Sequence, residues 1–331
     1  MKILIIDAGR SEFFWSHVVR EMATRGHLVS LVKQTPLDVG RYDVVLHVYL
    51  SGSLRDLTNA VGHGTPIVAF SMGTDAITNS FQGTDWSKVR KVLMVNKKHT
   101  ELLHQQAPAT KELTRQVGWF INDKEIAVQT DRPAVVEGSI RLLNAAAGHY
   151  YSKGLDNLLQ MILSLPEDLR KRIELNVVGD PGEAYLSYFT AFLRDQADFP
   201  IIAHGDVPPS KMDSFVNSVN PHATITASQG EASGTTIMES LYKGIPALVQ
   251  EHPFAVSVEN KPSDGKIIDG FFEADAPIKW WLTVGELEKQ LRSLVDPSPT
   301  AAELHEYAKA RWTLKAFTDK VLKQLEGAQN K

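Results

Sequence analysis

Short apolar segments alternate with longer amphipathic segments along almost the whole chain. Apolar runs that bracket segments of helical periodicity predict parallel strands joined by helices on both faces of a sheet. In the first half of the chain the predicted strands are 2–7, 28–33, 43–48, 66–71 and 91–95. In the second half they are 139–146, 173–179, 200–205, 223–228 and 246–250. The pattern predicts an α/β protein with two Rossmann-like, doubly wound domains that face each other across a cleft.

The hydrophobic periodicity weakens between residues 118 and 135, which we interpret as the end of one domain and the hinge to the next. The final segment, 301–327, is a long amphipathic helical tract without a following strand. We therefore predict a first domain over 1–133, a second over 134–305, and a C-terminal helix over 306–331.

Length and composition agree with a globular protein of two domains. The chain has 331 residues, of which 43% are apolar and 22% charged, which is ordinary for such proteins. No run approaches the ~20 apolar residues of a membrane span, and the apolar run at 3–6 is too short for a signal peptide. A cytoplasmic protein without a transmembrane segment is expected. The absence of cysteine excludes disulfides, thiolate metal sites and a cysteine nucleophile.

Charge is unevenly distributed along the chain. The net charge is −4, but residues 1–133 carry 16 basic and 13 acidic side chains, which leaves 19 and 26 for residues 134–331. A basic cluster in the first part is formed by Lys88, Arg90, Lys91, Lys97 and Lys98. It is interpreted either as a solvated face or as a surface that helps to hold an anionic acceptor.

The most informative stretch is 228-SQGEASGTTIMESLYKGIP-246, which follows the predicted strand 223–228. A helix that begins near Thr235 would direct the backbone N–H groups of Ser233, Gly234 and Thr235 at the cleft, where they suit a diphosphate. Two carboxylates flank this turn, Glu231 before the helix and Glu239 inside it. The alternative is helix capping, since Thr236 and Glu239 have the spacing of a capping box.

Two other predicted strand ends carry candidate residues. Gly9 follows the first strand, where it permits a sharp turn, but the G-x-G-x-x-G dinucleotide fingerprint is absent. Lys153 precedes a predicted helix whose dipole disfavours a cation at that end. It is interpreted either as an exposed lysine or as one that shares an anion with nearby amides.

The run from Glu231 to Pro246 resembles the signature of retaining glycosyltransferases of family 4, in which two glutamates are separated by seven residues and followed by Gly-x-Pro. The segments 153-KGLDNLL-159, 176-NVVGD-180, 204-HGDVPPSKM-212 and 311-RWTLKAF-317 follow in the order of that family. The resemblance is specific over about 140–250. It implies a GT-B fold in which the first domain is the acceptor side, the second domain binds the nucleotide-sugar donor, and the C-terminal helix crosses back to the first domain.

The resemblance also implies roles for individual residues. Glu239 would bind the ribose hydroxyls of a nucleotide-sugar donor, and Glu231 would orient the donor sugar. The amides of Ser233, Gly234 and Thr235 would hold the distal phosphate, and Lys153 would neutralise the leaving diphosphate. The backbone around Val207 would meet the base.

No enzymic nucleophile is expected in such an enzyme, and the paired carboxylates of a retaining hydrolase are not sought. The leaving phosphate would serve as base. No Asp-x-Asp metal motif is evident, so neither a metal nor another cofactor is expected.

Departures from the family pattern occur on both domains. The usual Gly-Arg before Lys-Gly is replaced by Gly148-His149, so the second phosphate cation is missing or supplied by His149 or Arg141. On the first domain Met72 occupies the place of a common histidine and is followed by Gly73 and Asp75. Arg10, after Gly9, would be another source of the missing cation.

The sequence therefore predicts a retaining glycosyltransferase that uses a nucleotide-sugar donor and a hydroxyl acceptor such as a glycan, a lipid or a small molecule. A DNA-modifying enzyme acting on hydroxymethylated bases is an alternative that the basic cluster favours and the overall acidity disfavours. A nucleotide-sugar epimerase and a catalytically degenerate nucleotide-binding subunit are further alternatives. The sequence specifies neither the acceptor nor the oligomeric state.

Overall fold

The computed structural model describes most of the chain, and its ranges are 1–9, 12–60, 64–72, 75–76, 80–129, 135, 138–145, 153–179, 196–228, 234–250, 276–296 and 298–329. The chain divides into two compact units. The first unit contains Met1–Asn122 and Arg311–Lys331, and the second contains Asp123–Ile268 and Ala274–Ala310.

A six-stranded parallel sheet forms the centre of the first unit. Its strands are β1 (Lys2–Asp7), β2 (Leu28–Val32), β3 (Val44–Val48), β4 (Ile67–Phe70), β5 (Val89–Met94) and β6 (Thr114–Gln116). They lie in the order β2-β1-β3-β4-β5-β6. Because the chain adds β2 on one side of β1 and β3 on the other, the sheet has its topological switch point between β1 and β3.

A second six-stranded parallel sheet forms the centre of the second unit. Its strands are β7 (Ile140–Ala145), β8 (Ile173–Val178), β9 (Ile201–Ala203), β10 (Ala223–Thr226), β11 (Ala247–Gln250) and β12 (Lys279–Trp281). The order β12-β11-β10-β7-β8-β9 places the switch point between β7 and β10. Both sheets match the predicted doubly wound architecture.

Helices connect the strands in both units. The α-helices in the described ranges are α1 (Glu12–Thr24), α2 (Gly52–Asn59), α3 (Lys97–Gln106), α4 (Leu155–Leu163), α5 (Glu167–Arg170), α6 (Pro209–Val219), α7 (Thr235–Lys243), α8 (Val284–Arg292), α9 (Ala301–Trp312) and α10 (Leu314–Gln329). Short 3₁₀ helices occur at Val39–Arg41, Trp86–Lys88, Pro108–Thr110, Asp123–Glu125 and Ser293–Val295. The segment 183–196, whose amphipathic pattern predicts a helix, lies outside the described residues apart from its last position.

The ten predicted strands are all present, with ends that differ by at most two residues. The strands β6 and β12 were not predicted. Each has three residues and forms an edge of its sheet. A strand of that length is too short to show an alternating pattern, and its edge position removes the need for a continuous apolar run.

Aromatic side chains hold the C-terminal helix α10 on the first unit. The Phe317 ring centroid lies 4.8 Å from that of Phe120, 5.8 Å from that of Trp119 and 6.0 Å from that of Phe70. Phe317, Phe70 and Phe120 are almost completely buried. Edge-to-face and tilted aromatic contacts of this kind add to the free energy of apolar burial.

The C-terminal tract predicted as one helix is broken at Thr313, which corrects the sequence interpretation. The Ile121 N–H donates to the carbonyl oxygen of Trp312 at 2.8 Å, and Ile121 pairs with Thr313 in an isolated β-bridge. The Thr313 hydroxyl accepts from the Ala316 N–H at 3.2 Å and so caps α10. A long-range backbone pair therefore interrupts an amphipathic pattern that is continuous in sequence.

Candidate active site

The crevice between β7 and β10, at the carboxyl edge of the second sheet, gathers several of the predicted site residues. Backbone pairing between the two strands is formed at Ala223 and Thr224 of β10. One residue further along, the Asn144 side chain donates to the carbonyl oxygen of Ile225 at 2.8 Å. Asn144 is buried, and its amide bridges the two strands where they separate. Ligands of open α/β sheets bind at such a point.

Gly154 closes the same crevice from the loop that follows β7. It has φ +64°, and a Cβ atom at this position would overlap with the carbonyl oxygen of Ala227, just after β10. Only glycine permits both the left-handed backbone and the close approach. The contact joins the loop carrying Lys153, which is half-buried, to the loop that precedes α7.

Helix α7 begins at Thr235, and its N-cap residue is Gly234 in a left-handed conformation with φ 59°. The first N–H groups of a helix point along its axis, and the helix dipole favours an anion at that end. In α7 the Ile237 N–H donates to the carbonyl oxygen of Gly234 at 2.9 Å. Thr236 lies inside the helix, and no side chain caps its start. The capping-box interpretation of Thr236 and Glu239 is therefore wrong, because the αL glycine starts the helix two residues earlier.

Packing and polar contacts fix the far end of α7. Gly244 ends the helix with φ 89°, and its N–H donates to the carbonyl oxygen of Leu241 at 3.0 Å. A Cβ atom on Gly244 would lie 2.9 Å from that of Ala301. The buried Lys243 ammonium donates to Asp213 Oδ1 at 2.6 Å and to the carbonyl oxygen of Ala127 at 3.0 Å. The Gly-x-Pro of the sequence motif thus holds the helix in place.

Glu239 lies in the second turn of α7 and is half-buried. Desolvation raises the pKa of its carboxyl from 4.5 to about 7. Its carboxylate makes no hydrogen bond or ion pair with any residue in the described ranges. A half-buried carboxylate of this kind can accept hydrogen bonds from the hydroxyl groups of a bound ligand.

Two further candidates lie elsewhere on the second sheet. Val207 is half-buried in the loop that follows the carboxyl end of β9, near Gly205 with φ +68°. Arg141 lies near the amino end of β7, where its Nε donates to the carbonyl oxygen of Asn220 at 3.0 Å. It lines a cavity of about 480 Å³ together with Glu174, Asn176 and His204. Arg141 is therefore not brought together with Lys153, which follows the opposite end of the strand.

Several predicted site residues lie outside the described residues. They are Glu231, Ser233, His149, Arg10 and Gly73. Their roles stay predictions from the family resemblance.

On the first sheet, Gly9 and Met72 follow β1 and β4 at the carboxyl edge. Asp75 is buried nearby and accepts four hydrogen bonds, from Leu50 N (2.7 Å), Ser71 Oγ (2.7 Å), Met72 N (3.3 Å) and Ala76 N (3.1 Å). Burial raises the pKa of Asp75 and these hydrogen bonds oppose the rise. The carboxylate joins the loops after β3 and β4, so its visible role is to position them.

The predicted basic cluster does not form one patch. Lys88 and Arg90 lie at the amino end of β5, whereas Lys97 and Lys98 begin α3 beyond its carboxyl end. Lys91 points to the C-terminal helix, where its ammonium donates to the carbonyl oxygen of Gln324 at 2.9 Å. The cluster is contiguous in sequence but is divided between opposite edges of the sheet.

Comparison with known families adds to this geometry. The profile of the family described as "Glycosyl transferases group 1" matches residues 130–310, which is more than half of the chain. The chain belongs to this family. The glycosyl transferase group 1 match covers both strands of the β7–β10 crevice and the whole of α7. No protein of curated function matches the chain significantly by sequence.

Solved structures similar to this glycosyl transferase group 1 chain include an apo form of the lipopolysaccharide outer core galactosyltransferase WaaB. It has a TM-score of 0.69, 12% identity and 99% coverage of each chain. HepE of Anabaena in complex with UDP-glucose has a TM-score of 0.68 at 12% identity, and covers 99% of this chain and 100% of its own. Sucrose-phosphate synthase from Thermosynechococcus elongatus has a TM-score of 0.70 at 12% identity, with the same coverages. These likenesses confirm the predicted GT-B fold.

Neither a cluster of metal-binding side chains nor a helix that could span a membrane is found in the described residues. No group of three or more histidine, aspartate or glutamate side chains in those ranges is placed to hold a metal ion. Within the same ranges, none of the helices combines the length and apolar character that a membrane span requires. Metal independence and location stay predictions.

Sequence reasoning missed three residues that lie near the carboxyl edges of the two sheets, each within its own unit. Asn144 and His47 are polar residues inside apolar strands, and that signal was available in the runs IRLLNA and VVLHV. Tyr49 has a φ of 75°, which no sequence pattern indicates for a tyrosine.

Proposed function

We propose that the chain is a retaining glycosyltransferase of family 4, which moves a sugar from a nucleotide-diphosphate sugar to a hydroxyl acceptor without a metal ion. The observation that carries the proposal is the carboxylate of Glu239, which is half-buried, has a pKa of about 7, and lies one turn behind the amino end of α7. Such a group gains hydrogen bonds when a ligand diol reaches it. A ribose offers two adjacent hydroxyls of this kind.

The start of α7 would take the diphosphate of the donor. Its first N–H groups and the positive end of its dipole favour an anion. Lys153 would approach the same diphosphate from the loop after β7, because the contact of Gly154 with Ala227 holds the two loops together. Glu231 would orient the donor sugar.

Transfer would break the bond between the sugar's anomeric carbon and the diphosphate oxygen. A bond to the acceptor oxygen would form on the same face of the sugar, and the acceptor proton would pass to the leaving phosphate. The charge that develops on the diphosphate would be stabilised by the α7 amides and by the Lys153 ammonium.

UDP-sugars are the first donors to test, since the similar structure of HepE contains UDP-glucose. The purified chain is incubated with UDP-glucose or UDP-galactose and a mixture of hydroxyl acceptors, with and without EDTA, while UDP release is followed. We expect release in both buffers, and an anomeric configuration, read by NMR, that is retained in the product. An inverted product contradicts the retaining mechanism, and loss of activity in EDTA contradicts metal independence.

The glutamate at position 239 is tested with Glu239→Ala. We expect nucleotide affinity to fall by about 1–3 kcal/mol, the usual cost of removing a hydrogen-bond partner from a buried group. Glu174→Ala is the matched control, because Glu174 is a half-buried carboxylate at the amino end of β8 in the same unit. Full nucleotide affinity in Glu239→Ala would contradict the proposed ribose contact.

The same assay separates the alternative functions. An epimerase would convert the donor sugar without releasing UDP, and a degenerate subunit would bind the nucleotide without turnover. For the DNA-modifying alternative, the divided basic cluster supplies no single patch of cations in the described residues.

A further inference from the structure

Tyr49 has an unusual backbone conformation at the carboxyl end of β3. Its φ is 75°, and in the described residues only Asn220, with φ 48°, is another non-glycine with positive φ. Asparagine adopts this region readily, and Asn220 does so where it ends α6. For a bulky residue the conformation is an outlier, and such outliers concentrate at functional sites.

Buried polar groups hold Tyr49 in this conformation. The Tyr49 N–H donates to the carbonyl oxygen of Phe70 at 2.8 Å. Nδ1 of the fully buried His47 donates to the carbonyl oxygen of Tyr49 at 3.0 Å, while its Nε2 lies 3.0 Å from Ser53 Oγ. Burial lowers the pKa of His47 to about 4, so the ring is neutral at physiological pH.

The residue after Tyr49 is held as well, since the Leu50 N–H donates to Asp75 Oδ2 at 2.7 Å. The backbone on both sides of the strained position is therefore bound to buried side chains or strands. The hydrogen bonds to neighbouring strands and buried side chains impose this backbone conformation on Tyr49, against the intrinsic preference of a tyrosine.

The result of this arrangement is the position of the aromatic ring. The Tyr49 ring lies directly against Gly9 in the loop after β1, where a Cβ atom would overlap with it. Because β1 and β3 flank the switch point of the first sheet, the ring occupies the place where such sheets bind ligands. The residue as a whole is half-buried.

We propose that the Tyr49 ring is the surface on which the acceptor of the sugar transfer stacks, and that this acceptor is a saccharide. The inference rests on the proposed function. Tyr49 then determines acceptor specificity, and His47 and Asp75 are positioning residues that fix the ring. The functional constraint accounts for a strained backbone that Gly, Asn or Asp would adopt more easily.

The chemistry of the acceptor favours a saccharide. The acceptor must offer a hydroxyl group, and an aromatic ring binds a flat apolar face through its π surface. A sugar ring has both properties, with C–H groups on its faces and hydroxyls at its rim. A nucleobase in DNA would also stack, but phosphates need cations beside them. Lys88 and Arg90 lie at the opposite edge of the sheet, and Lys97 and Lys98 begin α3 after β5, which is two strands away from β3.

The test uses saturation-transfer NMR on the full chain in the presence of UDP, with methyl β-D-glucopyranoside, methyl β-D-galactopyranoside and maltose as probes. Thymidine and 5-hydroxymethyl-2′-deoxycytidine are the nucleobase probes. Wild type is compared with Tyr49→Gly, whose glycine suits φ 75°, and with Tyr49→Phe, which keeps the ring. Tyr42→Ala, at the amino end of the same strand, is the matched control.

We expect at least one saccharide to bind wild type with saturation transferred mainly to its ring C–H protons. Its Kd should rise at least tenfold in Tyr49→Gly and change less than threefold in Tyr49→Phe and Tyr42→Ala. In turnover, Tyr49→Gly should raise the KM for that acceptor at least tenfold, with UDP affinity unchanged. Equal saccharide binding in wild type and Tyr49→Gly overturns the proposal, as does binding of the nucleobase probes alone or of no saccharide.

Two results distinguish the stacking role of Tyr49 from the proposed transferase activity. Tyr49-dependent saccharide binding without UDP release from any donor would leave the stacking surface standing and contradict the transferase. UDP release together with an unchanged acceptor KM in Tyr49→Gly would support the transferase and contradict the stacking surface.

Discussion

Gly154 lies so close to the carbonyl oxygen of Ala227 that no side-chain atom fits between them. The two residues belong to loops that follow adjacent strands, β7 and β10, and are far apart in sequence. Their contact sets the distance between the loop of Lys153 and the start of α7. The width of the crevice thus depends on one glycine.

Gly154→Ala should destabilise the second unit and weaken nucleotide binding, because the methyl group both overlaps with the Ala227 carbonyl and strains a backbone with φ +64°. We expect a loss of about 2 kcal/mol or more, the range of a strained left-handed residue plus overpacking. Thermal unfolding and UDP titration measure the two effects. Gly285→Ala is the control, since Gly285 lies in α8 with no atom near its Cβ position, and alanine should stabilise that helix slightly. Similar unfolding temperatures for the two variants would contradict the prediction.

Glu239→Gln should remove a pH dependence of stability between pH 4.5 and pH 7. The carboxyl pKa is about 7 in the folded chain and 4.5 as the reference for the unfolded chain. In this interval the folded state holds a proton that the unfolded state has released, so wild-type stability falls as the pH rises. At 1.36 kcal/mol for each pKa unit, wild type loses about 3 kcal/mol by pH 8.

Urea unfolding of the second unit at pH 4.5 and pH 8 measures this difference. Glu239→Gln and wild type should be equally stable at the lower pH, and the variant should be more stable at the higher pH. Parallel curves for the two proteins across the interval would show that the Glu239 carboxyl titrates normally.

Lys243→Met should cost about 3–5 kcal/mol, because the Asp213 carboxylate and the Ala127 carbonyl lose a buried ammonium. The side chain of Lys243 is 4% exposed, against 57% for Lys171 in its ion pair with Glu167. Lys171→Met is therefore the control, with an expected loss below about 1 kcal/mol. A double-mutant cycle with Asp213→Asn, followed by urea unfolding, isolates the pair. Equal losses in the two lysine variants would contradict the assigned role.

Asp75→Asn should destabilise the first unit by about 1–3 kcal/mol. The Asp75 carboxylate accepts four hydrogen bonds, and in asparagine an NH₂ group, which cannot accept, replaces one of the two oxygens. Asp56→Asn is the control, since the Asp56 side chain is 70% exposed and bonds only to Arg55 in the described contacts. Thermal unfolding compares the two. If the unfolding temperature falls no further in Asp75→Asn than in Asp56→Asn, the loops after β3 and β4 keep their positions without this carboxylate.

Thr236→Ala should leave stability almost unchanged, whereas Thr283→Ala should cost about 1 kcal/mol. Thr283 caps α8, where its hydroxyl accepts from the Glu286 N–H at 3.2 Å and the Glu286 carboxylate accepts from the Thr283 N–H at 2.9 Å. Thr236 lies inside α7. Urea unfolding distinguishes the variants, and equal losses would restore the capping interpretation of Thr236.

The spacing Thr-x-x-Glu predicts a capping box, but it forms one at only some of its positions in the chain. It occurs at positions 236, 283 and 300, and it forms a reciprocal capping arrangement at Thr283 and at Thr300. At 236 the left-handed Gly234 begins the helix first. The same local signal therefore has two outcomes, because α7 has already begun before Thr236, whereas α8 and α9 begin directly after Thr283 and Thr300.

The candidate site was predicted in part. The end of β10, the start of α7 and its Gly-x-Pro end follow from the sequence, because strand ends, glycines and helix starts are local signals. Arg141 was named as a substitute for the missing cation although the predicted strand 139–146 already places it near the amino end, away from Lys153, and the structure confirms that position. The basic cluster was taken as one surface, although β5 separates its members.

The amino-acid sequence by itself determines two α/β domains with parallel sheets. Apolar strands and amphipathic helices each have a characteristic spacing of apolar residues, which can be recognised within a short segment. The sequence also indicates the glycosyltransferase motif, whose residues are close in sequence. Only the tertiary structure decides where the sheets reverse their strand order, and hence that Gly154 meets Ala227 and that Tyr49 lies on Gly9. It also decides that Tyr49 adopts a strained backbone and that Thr313 breaks a helix. Each of these depends on hydrogen bonds and packing between segments far apart in the chain, whose free energy exceeds the local preference of the residue concerned.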